Sequence, residues 1–238
     1  MAVYILVGNT NLTATTAGGA LCSFSATGEP DKLAALLAEA GPPAVAASVN
    51  PQAEPNLAEA CRMAGIPAPL YAERDFPIRL DVAVSNPGGV GADRLLNVKA
   101  AFARVHGACV VVDFGTAMSI SAADACGAFV GGAILAGLSL SLRALHEATA
   151  FLPEIEVEAP GSVLGCETVS AMHSGVVYGA VGAAREIVER ISAVLVETPE
   201  VYATGGDSRL LAGLLPGEWH VVPELAIEGL RLAYEESL

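Results

Sequence analysis

The chain has 238 residues, 53% of them hydrophobic, with a mean hydropathy of +0.53 and a formal net charge of -14. That length allows one large or two small domains with a sizeable core, and the negative surface argues against nucleic acid and anionic membranes as partners. No uninterrupted apolar span of about 18 residues occurs, so no membrane helix is expected.

Met1-Ala-Val-Tyr4 lacks a basic region before its short apolar run, which does not resemble a secretory signal. A cytoplasmic protein is therefore expected. Cys22, Cys61, Cys109, Cys126 and Cys166 are odd in number and include no C-x-x-C pair. They read as buried thiols, not as zinc ligands or a disulfide framework.

In chain order, Val3–Val7, Asn11–Thr16 and Ala20–Ser25 read as three strands, joined by a Gly8-Asn9-Thr10 turn and a Gly18-Gly19 turn. Asp31–Ala40 is a helix with apolar Leu33, Leu36 and Leu37, stopped by Pro42-Pro43. Ala44–Val49 reads as a buried strand and Asn56–Ala64 as a helix. Pro67 and Pro69 mark a loop around a short strand at Leu70-Tyr71, and Leu80–Val84 is a further strand candidate. The Gly-rich loop Ser85–Arg94 leads into a helix over Leu95–Val105. Asp93 suits the positive end of that helix's dipole, whereas Arg94 suits it only if it pairs or binds something. Taken alone, Asp93 is an ordinary helix-start acid.

The second half repeats the scheme. Strands are expected at Cys109–Asp113, Met118–Ala122 and Ala128–Ile134, with Gly115 and Gly127 in the turns. Leu138–Ala150 is a helix ended before Pro153. Thr168–Val196 holds one or two helices, with Ala171, Gly175, Gly179 and Gly182 along one face. Val201–Thr204 and Trp219–Val222 are strands, and Leu225–Glu235 is a closing helix. The halves are expected to divide near Val105–Ala108, giving lobes 1–107 and 108–238.

The chemistry concentrates in the turns. Val110–Asp113 is an apolar strand ending on a carboxylate, followed by Phe114, Gly115 and Thr116. The turn amides and the Thr116 hydroxyl suit phosphate oxygens, and Asp113 suits a metal or its water shell. On its own, Asp113 reads equally well as a turn-capping residue. A second copy, Gly8-Asn9-Thr10-Asn11, follows the first strand, and a third glycine turn, Gly205-Gly206, follows Val201–Thr204. Two strand–Gly–Thr hairpins with a late Gly-Gly turn form the pattern of the actin-like sugar-kinase ATPases. The expected fold is α/β: two duplicated actin-like, ribonuclease H-like lobes, each a mixed sheet flanked by helices.

With these residues placed, the chain resembles the type III pantothenate kinases over almost its full length. The matching motifs occur in order: Gly8-Asn9-Thr10, Asn86-Pro87, Gly91-Ala92-Asp93-Arg94, Asp113-Phe114-Gly115-Thr116-Ala117 and Gly131-Gly132. Thr149–Pro153, Leu164-Gly165 with Thr168, Ser174-Gly175, Thr204-Gly205-Gly206, Pro223-Glu224-Leu225 and Gly229-Leu230 follow. The resemblance implies ATP-dependent phosphorylation of pantothenate, the first step of coenzyme A synthesis. It also implies a homodimer, Mg2+ with the ATP, and a monovalent cation such as K+ or NH4+. By resemblance, Asp93 is the catalytic base, and Gly91, Ala92, Asp93, Arg94 and Thr168 contact pantothenate. Asp113 is the monovalent-cation ligand. Gly8, Asn9, Thr10, Asn11, Thr116, Gly205 and Gly206 contact ATP.

The departures from the family pattern fall in one place. Leu6 stands where the first loop carries an aspartate, Thr13 where it carries a lysine, and Val84 where an aromatic precedes Asn-Pro. Phosphate handling at the first loop is therefore expected to be weakened. Three functional classes follow: a working pantothenate kinase, a catalytically impaired kinase-fold protein acting by binding or in regulation, and a different small-molecule kinase of the same fold.

Overall fold

The computed structural model describes residues 2–16, 19, 21–28 and 30–238; the expected Gly18 turn and the Ala20 start of the third strand lie outside these. Two compact units emerge: Met1–Asp81, Ser85–Ala100 and Glu224–Leu238 form one, and Val82–Val84 with Ala101–Pro223 form the other.

The first unit is built on strands β1 (Val3–Val7), β2 (Asn11–Thr16), β3 (Cys22–Ser25), β4 (Ala44–Ser48) and β5 (Leu70–Tyr71), in the order β3-β2-β1-β4-β5. β1 pairs antiparallel with β2 and parallel with β4. Alternation along β1 sends Val3, Ile5 and Val7 into a core with Leu33 and Leu37 of α1 (Asp31–Ala40) and Leu57 of α2 (Glu54–Met63). Tyr4 and Leu6 alternate to the opposite face. There Tyr234, on the last helix, meets the Tyr4 ring edge-on at 6.4 Å and the Phe76 ring at 5.4 Å.

That helix, α7 (Leu225–Glu235), packs on β1 and β4. A Cβ at Gly229 would lie 2.6 Å from the Leu96 carbonyl carbon, so the glycine lets α7 press against α3 (Ala92–Val105). Lys99 of α3 is nearly buried, and its ammonium donates to Glu236 at 2.7 Å and to the Arg79 carbonyl at 3.2 Å. The sequence expectation placed the C-terminal helix in the second lobe; here it covers the first sheet.

The second unit repeats the topology. Strands β6 (Cys109–Phe114), β7 (Ala117–Ala123), β8 (Phe129–Ala136), β9 (Glu200–Thr204) and β10 (His220–Val221) run in the order β10-β9-β6-β7-β8. β6 pairs antiparallel with β7 and parallel with β9. Val110, Val112 and Phe114 pack with Leu138 of α4 (Leu138–Glu147) and with Val177, Val181 and Val188 of α5 (Thr168–Val194).

Two local expectations need correction. Leu80–Val84 is not a strand: only Val82 bridges, to Phe129. Of the one or two helices expected over Thr168–Val196 there is one, Thr168–Val194, and the short α6 (Ser208–Leu211) is an addition to the expected elements. The cysteines are free, but only Cys61 and Cys109 are buried, while Cys126 and Cys166 are exposed. Burial pushes Cys61 up to about 11 and Cys109 up to about 12, so both remain thiols at neutral pH. No helix among the described residues is long and apolar enough to cross a membrane.

Candidate functional site

In the first unit, two expected pieces stand on the same part of the sheet. The first is the β1–β2 turn. Gly8 N–H donates to the Asn11 carbonyl at 2.9 Å, and a Cβ at Gly8 would touch that carbonyl at 3.0 Å. Asn9 and Thr10 form the exposed tip. Leu6 and Thr13 are direct cross-strand partners, with Ala47 of β4 on the other side of Leu6. The two positions where the resemblance led us to expect charge are therefore neighbours on one face of the sheet. There a half-buried leucine faces a half-buried threonine.

The second piece is the start of α3. The Asp93 carboxylate folds back to accept the Arg94 backbone N–H at 2.8 Å. A Cβ at Gly91 would lie 2.6 Å from that carboxylate oxygen, so a residue with a side chain would displace it. The same Cβ position lies 3.7 Å from Val49, at the exit of β4. β4 runs parallel to β1, and the Val49 N–H donates to the Val7 carbonyl at 3.0 Å. The strand exit thus links the Asp93 loop to the β1–β2 turn. Burial pushes the Asp93 carboxyl above its ordinary range, against the pull of the Arg94 N–H and guanidinium. Burial also holds the Arg94 guanidinium below its usual value, with Asp93 opposing.

In the second unit, Asp113 is set among backbone. It pairs across the sheet with Ser119 of β7 and Thr204 of β9. A Cβ at Gly115 would come to 3.3 Å from its carboxylate, and one at Gly205 would collide with it. Gly205 adopts φ of 92°, a conformation that favours glycine. Gly137, between β8 and α4, closes the third side: its N–H donates to the Thr116 carbonyl at 3.1 Å, and a Cβ there would strike that oxygen at 2.6 Å. Three glycines from three connections therefore crowd the Asp113–Thr116 corner. Thr116 and Gly206 are exposed beside it. Asp207 follows, with its N–H on the Phe114 carbonyl at 3.1 Å and its carboxyl raised by burial.

Thr168 is the exposed first residue of α5. The irregular segment before it is fastened at intervals. His146 Nδ1 lies 2.8 Å from the Leu152 carbonyl, His173 Nε2 lies 2.8 Å from the Glu156 carbonyl, and the Ser174 hydroxyl donates to the Val163 carbonyl. A Cβ at Gly165 would overlap Ala171 of the first α5 turn, so Leu164-Gly165 can lie flat against that turn. The motif spacing from Leu164 to Ser174 is thereby a packing requirement that sets Thr168 in place.

The structure brings Gly8–Asn11 and Gly91–Arg94 onto one unit, and Asp113, Thr116, Thr168, Gly205 and Gly206 onto the other. Gly137 and Asn50 were not singled out from sequence. Gly137 had a signal, a glycine between a strand and a helix. Asn50 had only its place after a buried strand. No group of three or more His, Cys, Asp or Glu suited to a metal ion occurs among the described residues. The oxygens at Asp113 and Thr116 fit a hard cation. The first turn, with no carboxylate in residues 6 to 13, fits phosphate oxygens but not a magnesium ligand set.

A family model for type III pantothenate kinase matches residues 3–190. A type III pantothenate kinase of Dehalococcoides mccartyi is 40% identical over 168 residues, which is 71% of this chain and 65% of that protein. Those of Anaeromyxobacter dehalogenans and Acidiphilium cryptum are 38% and 39% identical, covering 81% and 79% of this chain and 76% and 71% of their own lengths. The match to the D. mccartyi protein thus spans just under two thirds of it. Among solved structures, a Campylobacter jejuni protein assigned to the Baf family of transcriptional activators superposes with a TM-score of 0.64 at 19% identity, covering 98% of each chain. An archaeal actin homologue in complex with ADP gives 0.53 at 13% identity, covering 100% of each. These likenesses are of fold: two actin-like lobes.

Proposed function

The chain belongs to the type III pantothenate kinase family, and on that premise we propose that it transfers the γ-phosphoryl group of ATP to the primary hydroxyl of pantothenate. The observation that carries this reading is the Asp93 carboxylate, held over Gly91 at the start of α3. A carboxyl raised by burial is a stronger base once ionised, which suits it to accept the hydroxyl proton as the new O–P bond forms. Arg94 beside it holds negative charge in place. Gly91, Ala92 and Arg94, with Thr168 at the start of α5, are the proposed pantothenate contacts.

The ATP phosphates are assigned to Gly8, Asn9, Thr10 and Asn11 on the first unit and to Thr116 on the second, with Gly205 and Gly206 beside the nucleoside. Asp113 is the proposed ligand of a monovalent cation, K+ or NH4+. Magnesium arriving with ATP supplies charge neutralisation in phosphoryl transfer. The Leu6–Thr13 pair adds none, so we assign the chain a weakened first phosphate site. A homodimer and a cytoplasmic location complete the proposal. Ala171, Gly175, Gly179 and Gly182 lie on a solvent-exposed or half-exposed stripe of α5, which supports the dimer, and sedimentation as a monomer at micromolar concentration would refute it.

Coupled ADP release with pantothenate, Mg2+ and K+, on protein of confirmed fold, tests the activity. Pantothenate-dependent release is expected. ATP binding without any such release would overturn the kinase reading.

A further inference from the structure

Asn50 emerges from β4 beside the β1–β2 turn and reaches across 42 positions of sequence to it. Its side-chain amide nitrogen donates to the Gly8 carbonyl at 3.3 Å and to the Asn9 carbonyl at 3.4 Å. The group is itself oriented on its other side. Asn50 Oδ1 accepts the Gln52 N–H at 3.2 Å, and the Asn50 N–H donates to the Ser48 hydroxyl at 3.3 Å. The next carbonyl of the turn, that of Thr10, accepts the Ala26 N–H at 2.9 Å, and Ala26 is held in turn by Asn56 Nδ2 at 2.6 Å.

Peptide planarity converts this into a statement about donors. In a trans peptide the C=O and the following N–H point in opposite directions. The Gly8 and Asn9 carbonyls converge on one nitrogen, so the Asn9 and Thr10 N–H groups both point away from it. Backbone N–H groups turned outward on an exposed turn can serve an anion as donors. In this chain those donors carry unusual weight, because the neighbouring pair, Leu6 and Thr13, supplies no charge to a phosphate.

We propose that Asn50 is a positioning residue for the nucleotide phosphates: it holds the Gly8–Thr10 peptides in the orientation that presents their N–H groups to the triphosphate. The assignment rests on the kinase reading for its setting, but it concerns nucleotide binding alone. Val49, one residue earlier, touches the Gly91 position that shapes the Asp93 loop. Asn50 itself serves the phosphate turn, so its loss acts on ATP and leaves pantothenate recognition alone.

Two variants isolate the donor. Asn50→Asp keeps the shape and the Oδ1 acceptor for Gln52 but replaces the amide nitrogen with an oxygen facing two carbonyls. Asn50→Ser is neutral and too short to reach them. ATP affinity is measured directly, without pantothenate, and steady-state constants are measured with it, on variants whose melting temperature matches the natural chain. Both variants are expected to weaken ATP binding about tenfold and to raise KM for ATP while KM for pantothenate holds. An effect confined to Asn50→Asp comes from charge alone and overturns the positioning role, as does an equal rise in both KM values. If a variant unfolds, the other carries the test, and unfolding of both assigns Asn50 to stability and overturns the proposal. A natural chain that binds ATP tightly, loses affinity in both variants and yet turns over no pantothenate sinks the kinase reading and leaves this inference standing. A natural chain that binds no ATP sinks both.

Discussion

The two hairpins that open the two sheets share one frame and differ in charge. Leu6 lies two residues before Gly8, and Asp113 lies two residues before Gly115. Leu6 pairs with Thr13 and Ala47; Asp113 pairs with Ser119 and Thr204. The matching positions carry an aliphatic side chain between a threonine and an alanine in one unit, and a carboxylate between a serine and a threonine in the other. Buried strands and a turn glycine are enough to form the hairpin, whatever stands at that position. Topology and chemistry are separable here: the second hairpin carries a carboxylate at this position, and the first does not.

The largest effect expected from breaking this arrangement is at Asp93. Asp93→Asn should lower kcat by about 100-fold or more, the scale of losing a general base. Unchanged turnover would remove Asp93 from the mechanism. Because burial raises its folded pKa above the unfolded value, the ionised carboxylate lowers stability at neutral pH, and that cost is relieved as pH falls through the folded value. The substitution should therefore leave the melting temperature unchanged or higher. The acid limb of kcat/KM should lie above the ordinary carboxylate range in the natural chain and vanish in the variant.

Next comes the backbone around Asp113. Gly205→Ala forces a Cβ onto a positive φ and into the carboxylate, at a cost of about 2 kcal/mol in denaturant unfolding. Gly206→Ala, whose Cβ would meet nothing within 4 Å, is the control and should be near neutral. Equal effects would mean that the corner is not tight. Asp113→Ala should raise the monovalent-cation concentration needed for half-maximal activity by about tenfold, with little change in KM for pantothenate. A cation requirement that stays put would take the cation away from Asp113.

The smallest effect sharpens the comparison most. Leu6→Asp with Thr13→Lys rebuilds a charged pair in the first hairpin. Each change alone leaves a half-buried charge without its partner. Together they should raise kcat/KM with a coupling of about 1 kcal/mol beyond additivity. A natural chain that is already fully active, and gains nothing, would show that the amides alone suffice.

Much of this was readable from residues. α1, β1, β2 and α7 begin and end where Gly, Pro and apolar periodicity placed them, because short-range patterns determine them. Asp113 and Gly205 were both singled out, but not that Gly205 must be a glycine because Asp113 lies against it. Such a contact between strands 92 residues apart has no local signal. Asn50 was missed for the same reason: its role is a side-chain bond to a turn at the far end of another strand. Leu80–Val84 looked like a strand from its apolar residues, yet of these only Val82 forms a bridge, to Phe129 on the outer strand of the second sheet. α7 was misplaced because order along the chain does not say which sheet lacks a cover.

The position of α7 has a consequence for synthesis. Ala101–Pro223 leaves the ribosome as one continuous piece, whereas the first unit must wait for Glu224–Leu238. Until Leu225–Glu235 has been translated, the sheet face bearing Tyr4 lacks its Tyr234 contact, an apolar surface of the kind that chaperones hold. The second unit can fold while the first is still waiting. The unit that carries Asp93 is thus completed only after Ala101–Pro223 of the other has been made.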